Sequence, residues 1–475
     1  MDRNKDGQLS KGTIALLSLA TAVVYFLSNP KPHNFYDYTY RVAGNLLRGG
    51  IAFTEKPPSW LNEMVPFEGV YYAVFPLGAV LSMIPAALLG SVGIITEMPG
   101  AWIAAVLAGV TCYFLLRITS FYNVSNSRKL VQVLGILLGT FMWTNLTFAG
   151  AWQLALGFAL VGELGAIYFT VYDRRPLLAG FFFAMAFGNR TEILLTAPVF
   201  MYLLMRVGDN RGDAETRSEE TKAEETKGPS THVSTSLYFP SSLRLSVSAV
   251  NIRSAAMFCV IPVVLGIATL IYNYVRFHSF TDFGYARIPG VLDEPWYDRG
   301  IFSFSYLTRQ AWEMLFRSWE RYPTFPYLRP NGFSSTIVWS SPFLLYIFRT
   351  ELPAWLQQRY RRFRRTAREK SVDGTQRFPS LYSIFTFRAD RDKTLKYAAW
   401  AAIVILTVLL WTHGNSGGWQ FGYRYAMVLL PWVFVLLLES APKHITFVEG
   451  TGYAISFVTN LYATWLYHWT DYMKP

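Results

Sequence analysis

Long apolar runs alternate along this chain with segments that are polar, basic or rich in aromatics. Gly12 to Leu27, Pro99 to Leu116, Leu130 to Phe148, Trp152 to Tyr172, Ser254 to Val275, Tyr397 to Trp411 and Tyr425 to Leu438 are the main runs. They approach the roughly 20 residues needed to cross a bilayer, and we read them as spanning helices. The first follows a short basic N-terminus and leads into Ser28-Asn29-Pro30 with no small-residue cleavage site, which predicts an uncleaved anchor. Two stretches are ambiguous. Tyr71 to Ile95 contains Pro76, Pro85 and several glycines, and Pro176 to Arg206 is interrupted by Asn189-Arg190-Thr191-Glu192.

Charge arbitrates, because each extra crossing reverses the side of everything after it. With Tyr71 to Ile95 lying uncrossed in the interface and Pro176 to Arg206 folded as a hairpin whose turn faces outward, 29 of the 43 Lys and Arg residues fall in inside loops and 14 outside. Letting Tyr71 to Ile95 cross leaves 13 inside and 30 outside. The positive-inside rule selects the first arrangement. The expectation is an all-α polytopic membrane protein, a single domain over 1-475 with about 11 spans if the hairpin counts as two, and a cytoplasmic N-terminus. Residues 28-98 form a first outer loop with juxtamembrane helices, and 276-332 and 413-424 are further outer segments. Residues 207-253 form a polar, disordered cytoplasmic loop, and 349-396 a basic cytoplasmic loop lying on anionic headgroups. Each half of the hairpin is only about 12 to 15 residues, roughly 18 to 22 Å. Its turn must therefore sink below the outer surface and face protein or a water-filled cavity. Arg190 and Glu192 either meet a substrate there or simply close the turn as an ion pair.

Composition narrows the classes. At 52% hydrophobic, 17% aromatic and 16% charged, the chain is too apolar for an ordinary soluble enzyme. Its formal charge of +12 sits in membrane-flanking stretches, which favours membrane lipids over nucleic acid as the partner. Cys112 and Cys259 lie inside apolar runs and argue against a disulfide framework or a thiolate metal site. The histidines show no zinc spacing, and Asp2, Asn4, Asp6 and Gly7 open like a calcium loop but place Thr13 where its bidentate glutamate belongs. There is no nucleophile-elbow serine. No metal and no other cofactor is expected.

Candidate chemistry concentrates in the outer segments. "NFYDYTYRVAGNLLRGG" predicts a short amphipathic helix from Tyr38 to Leu47 with Asp37 near its N-cap. Asp37 either caps that helix or projects into an outer cavity as a general base. Arg276 and Arg424 fall at the outer membrane boundary, either as interfacial anchors or as guanidinium forks for a phosphate at headgroup depth.

These segments resemble the GT-C superfamily of integral membrane glycosyltransferases, specifically bacterial relatives of the family-39 protein O-mannosyltransferases and aminoarabinose transferases. The likeness rests on Asp37 followed by Ala43, Leu46, Leu47 and Gly49, on "EGVYYAVFP", "AGFFFAMAFGNRTE", "YNYVRF" with "DFGY", and on "FGYRY" before a final helix pair. The resemblance implies a polyprenyl-phosphate sugar donor bound in a membrane-facing cavity, an acceptor of unknown kind, and Asp37 as base. Arg276, Arg424, Arg190 and Lys56 would bind the donor phosphate. Tyr40, Glu63, Tyr72, Glu192, Tyr285, Trp419 and Tyr423 would line the cavity. The chain departs from many relatives in having Phe75-Pro76-Leu77 where they carry Lys-Pro-Pro or Pro-Pro, and Arg190-Thr191 for Arg-Pro; Lys56-Pro57-Pro58 offers the lysine from a displaced position. The expected function is inverting glycosyl transfer at the non-cytoplasmic face of a bacterial inner (plasma) membrane. The alternative is a membrane transporter or lipid flippase, with the sunken hairpin and the arginines as its path.

Overall fold

The computed structural model describes residues 9–206, 252–351, 386–387 and 393–473. The calcium-loop-like start, the polar stretch 207–251 and most of the basic loop 349–396 lie outside the described residues.

The protein is mostly helical with few strands. Its α-helices among the described residues are α1 (Lys11–Leu27), α2 (Tyr38–Leu46), α3 (Leu77–Ser82), α4 (Ile84–Ser91), α5 (Gly100–Thr119), α6 (Asn126–Leu138), α7 (Met142–Thr147), α8 (Ala151–Ile167), α9 (Pro176–Asn189), α10 (Ala197–Arg206), α11 (Ile252–Phe277), α12 (Leu307–Leu315), α13 (Ile337–Ser340), α14 (Thr394–Thr412), α15 (Leu430–Glu439) and α16 (Phe447–Trp469). Among the described residues, four helical segments are long and apolar enough to cross a membrane: Gly100–Thr119, Ala151–Tyr172, Ile252–Phe277 and Thr394–Thr412. Length and composition do not establish the larger number of about eleven. Several apolar runs are divided: Leu130 to Phe148 breaks at Gly139 into α6 and α7, and Tyr425 to Leu438 begins as a 3-10 helix before α15.

Tyr71 to Ile95 contains no helix that could cross. A β hairpin comes first, β1 (Met64–Phe67) against β2 (Val70–Ala73), with Val65 opposite Tyr72. Its two-residue turn, Glu68-Gly69, has both residues at positive φ, as the tight turns that match strand twist require. The apolar stretch from Tyr71 therefore begins as a strand and becomes helical at Leu77. α3 and α4 together are 6 and 8 residues long, about 9 and 12 Å, against a hydrocarbon core of roughly 30 Å.

Small residues let the helices approach closely, as they do where lipid supplies no hydrophobic drive between them. Gly180 of α9 has the Phe258 carbonyl of α11 where a side chain would begin, and Gly78 of α3 rests on the backbone of Gly188 in α9. The second contact fixes α3 against the last turn of α9, which ends at Asn189 just before Arg190. Gly78→Val is expected to destabilise the fold by about 1–3 kcal/mol through overpacking, read as a lowered thermal midpoint of the purified protein in detergent.

The inter-helix connections segregate to two ends. At one end the Ser125 amide donates to the Lys443 carbonyl, Arg128 and Arg349 pair with Glu449, and Tyr122 donates to Glu439. At the other, the His33 amide donates to the Phe148 carbonyl, the Ala151 amide to Tyr36, the Gly414 amide to Ile301 and the Gln420 amide to Gly332. The first set comes from the segments read as inside loops, and the second from those read as outside.

Candidate functional site

The second end encloses a cavity of about 1170 Å³. The segment from Asn29 to Pro76 builds one wall. Asn29 Nδ2 donates to the Thr147 carbonyl at 2.8 Å, and with the His33 and Tyr36 backbone bonds this lays residues 29–36 along the α7–α8 turn. α2 then carries Tyr38 inward, where its hydroxyl donates to the Trp60 carbonyl and the Asn62 side chain. Those contacts seat the Trp60 to Glu63 turn on α2, and Glu63 lines the cavity.

Glu63 is the carboxylate of this cavity that geometry holds most firmly. Trp152 Nε1 on α8 donates to its Oε2 at 2.7 Å, and the Val74 amide donates to its carbonyl at 3.2 Å. It keeps part of its surface open to the cavity while protein surrounds it. Burial pushes its pKa up to about 7, against the opposing pull of the Trp152 hydrogen bond and the charge of Arg424.

Two arginines share the cavity with it. Arg190 follows α9 in an extended conformation, pairs with Glu192 at 2.6 Å and lies 4.7 Å from the Tyr425 ring centroid. Arg424 opens the 3-10 turn before α15, its amide bonded to Gln420 Oε1, and its guanidinium lies 5.4 Å from the same ring. Tyr425 thus holds both cations within cation–π range. Arg424 is only 7% exposed, and its Nε has no hydrogen-bond partner among the described residues. Two guanidiniums on one ring, one with an unmatched donor, make a site for an anion. Arg190 closes the hairpin turn as an ion pair with Glu192 and also lines the cavity, whereas Glu192 does not line it.

Of the remaining expected residues, Tyr285 and Trp419 line the cavity. Asp37 does not. It sits at the N-terminus of α2 without a capping bond, and its Oδ1 accepts from Arg41 Nε at 2.6 Å. Burial raises its pKa and the Arg41 bond opposes the rise. Arg276 is fully buried, its Nη1 donating to the Ala73 carbonyl at 2.5 Å and its Nη2 to Asn273 at 2.7 Å, so it ties β2 to the end of α11. Lys56 lines a separate cavity of about 270 Å³ with Arg41 and Asn45. Tyr40 packs on Gly90, Tyr72 on Phe277, and the Tyr423 hydroxyl donates to Gln310 at 2.9 Å. Among the described residues no group of three His, Cys, Asp or Glu side chains is placed to hold a metal ion. No protein-family model, curated protein or solved structure matches this chain.

Proposed function

We propose that this protein is a membrane glycosyltransferase that moves a sugar from a polyprenyl-phosphate donor to an acceptor hydroxyl, with inversion, at the face of the membrane away from its basic loops. The observation that carries the reading is one cavity in which a carboxylate, Glu63, shares space with two guanidiniums gathered on Tyr425. The acceptor oxygen would form its bond to the anomeric carbon as Glu63 takes the hydroxyl proton. The bond from that carbon to the phosphate oxygen breaks, and the electron pair leaves with the polyprenyl phosphate. Arg190 and Arg424 would meet the negative charge that develops there, the placement in which fixed charges contribute most. The base goes to Glu63 on this reading. Asp37, the position implied by the resemblance, is next to cavity-lining Tyr36 but would first have to leave Arg41. The finer topology of about eleven spans, with the N-terminus cytoplasmic, belongs to the same proposal.

A base with a pKa near 7 has a definite signature. Above that value Glu63 is ionised and ready to accept a proton, and below it the carboxyl is already protonated. In proteoliposomes supplied with a polyprenyl-phosphate sugar, kcat/KM is expected to be level above pH about 7 and to fall about tenfold per unit below it. A rate that stays flat down to pH 5 removes Glu63 as base. Counterflow of the lipid-linked sugar with no transferred product would instead support the transporter reading.

A further inference from the structure

The cavity extends well beyond Glu63 and the arginines, and one side of it is a continuous wall of rings. Trp152, the donor to Glu63, lies 4.8 Å from Tyr36 between centroids, and Tyr36 lies 6.0 Å from His33. His33 is 5.0 Å from Phe148, Phe148 5.7 Å from Tyr467, and Tyr467 5.7 Å from Trp419. All six line the cavity. The wall therefore starts at the carboxylate and leads away from it.

Two buried amides of the same cavity add a polar demand to that of the rings. Gln153, beside Trp152, is 4% exposed and lines the cavity, and its Oε1 has no hydrogen-bond partner among the described residues. Asn189, beside Arg190, is 3% exposed and also lines it. Its Nδ2 donates to Ser82 and to the Met185 carbonyl, which leaves Oδ1 as the unpartnered atom. A buried acceptor left unmatched costs about 1–3 kcal/mol, so both oxygens call for a ligand that brings donors. An isoprenoid chain would cover the rings but bring no donor. A phosphate brings mainly acceptors and would face two carbonyl oxygens. A pyranose has a C–H face for an aromatic ring and hydroxyl donors around its edge, and meets both demands.

We propose that the wall from Trp152 to Trp419 is an acceptor subsite for a saccharide, which lies against the rings and donates hydroxyl protons to Gln153 and Asn189. That the bound saccharide is the acceptor rests on the glycosyltransferase reading, whereas saccharide binding itself does not.

The test uses the purified full-length protein in nanodiscs, titrated with linear tetrasaccharides of glucose, galactose, mannose and N-acetylglucosamine, and separately with undecaprenyl phosphate. At least one tetrasaccharide should bind saturably, and Gln153→Leu and Trp419→Ala should each weaken it by about tenfold or more, while Trp419→Phe, which keeps a ring, should weaken it much less. Undecaprenyl phosphate should leave saccharide binding to the unmodified protein undiminished, a measurement independent of whether a variant folds. The proposal is overturned if no tetrasaccharide binds, if both substitutions leave binding intact, or if undecaprenyl phosphate displaces the saccharide and so claims the wall for lipid. Saccharide binding with no transfer from any polyprenyl-phosphate sugar would sink the transferase reading and keep the subsite. Transfer to a peptide or lipid with no saccharide binding would do the reverse.

Discussion

Glu63→Gln is expected to lower transfer from a polyprenyl-phosphate sugar by about 10²- to 10⁴-fold, the range a positioned general base usually contributes. Glutamine keeps the shape of the side chain and an oxygen to accept the Trp152 hydrogen bond, so the cavity should survive the change. What it loses is the proton acceptor and a negative charge close enough to influence Arg424. The two roles separate kinetically. A lost base lowers kcat, whereas a less compensated Arg424 should bind the anionic donor more tightly, so KM should fall or stay level while kcat collapses. Asp37→Asn is the matched control. It removes a half-exposed pair with Arg41, the kind of contact generally worth about 0–1 kcal/mol, and should leave kcat within a few-fold. If Asp37→Asn abolishes turnover and Glu63→Gln does not, the base is Asp37 and the resemblance was the better guide.

The ring wall and the carboxylate show which parts of this site a sequence carries. Local features were readable: the helix expected from Tyr38 to Leu47 runs from Tyr38 to Leu46, and the Arg190–Glu192 pair is two residues apart in the chain. Arg276 illustrates the opposite case. An arginine at the outer end of an apolar helix reads the same whether it opens onto a cavity or bonds a neighbouring backbone, and only packing of β2 against α11 decides for the latter. Glu63 was legible as a polar residue of the segment read as the first outer loop, but its elevated pKa comes from burial in the surrounding protein, and the hydrogen bond that holds it comes from Trp152, 89 positions away. The hairpin of β1 and β2 had a local signal, Glu68-Gly69 between aromatic-rich segments, that the apolar character of the following run masked. The wall draws its six rings from four separate parts of the chain, and no spacing rule joins Phe148 to Tyr467.

The same logic applies with greater energetic weight at the far end of the bundle, where Glu449→Gln is expected to destabilise the protein by about 3–5 kcal/mol. Glu449 lies in the first turn of α16, and with Thr446 it forms a reciprocal capping box, the hydroxyl accepting from the Glu449 amide and the carboxylate from the Thr446 amide. Its carboxylate also accepts from Arg128 at 2.5 and 2.6 Å and forms an ion pair with Arg349 at 2.9 Å, with all three side chains at most 1% exposed. Two buried cations meet this one anion. A buried ion pair is often no better than a well-packed apolar replacement, but removing one partner leaves the other buried and uncompensated, as Arg128 would be here. Glutamine retains an oxygen for the cap, so losing the cap alone, typically ~1 kcal/mol, does not account for the expected size. The discriminating measurement is a double substitution. Arg128→Met with Glu449→Gln removes that uncompensated charge and should recover part of the loss in thermal midpoint, as coupled neighbours do. If the two effects simply add, the charges are not coupled, and the N-terminal ends of α6 and α16 are held by their apolar packing alone.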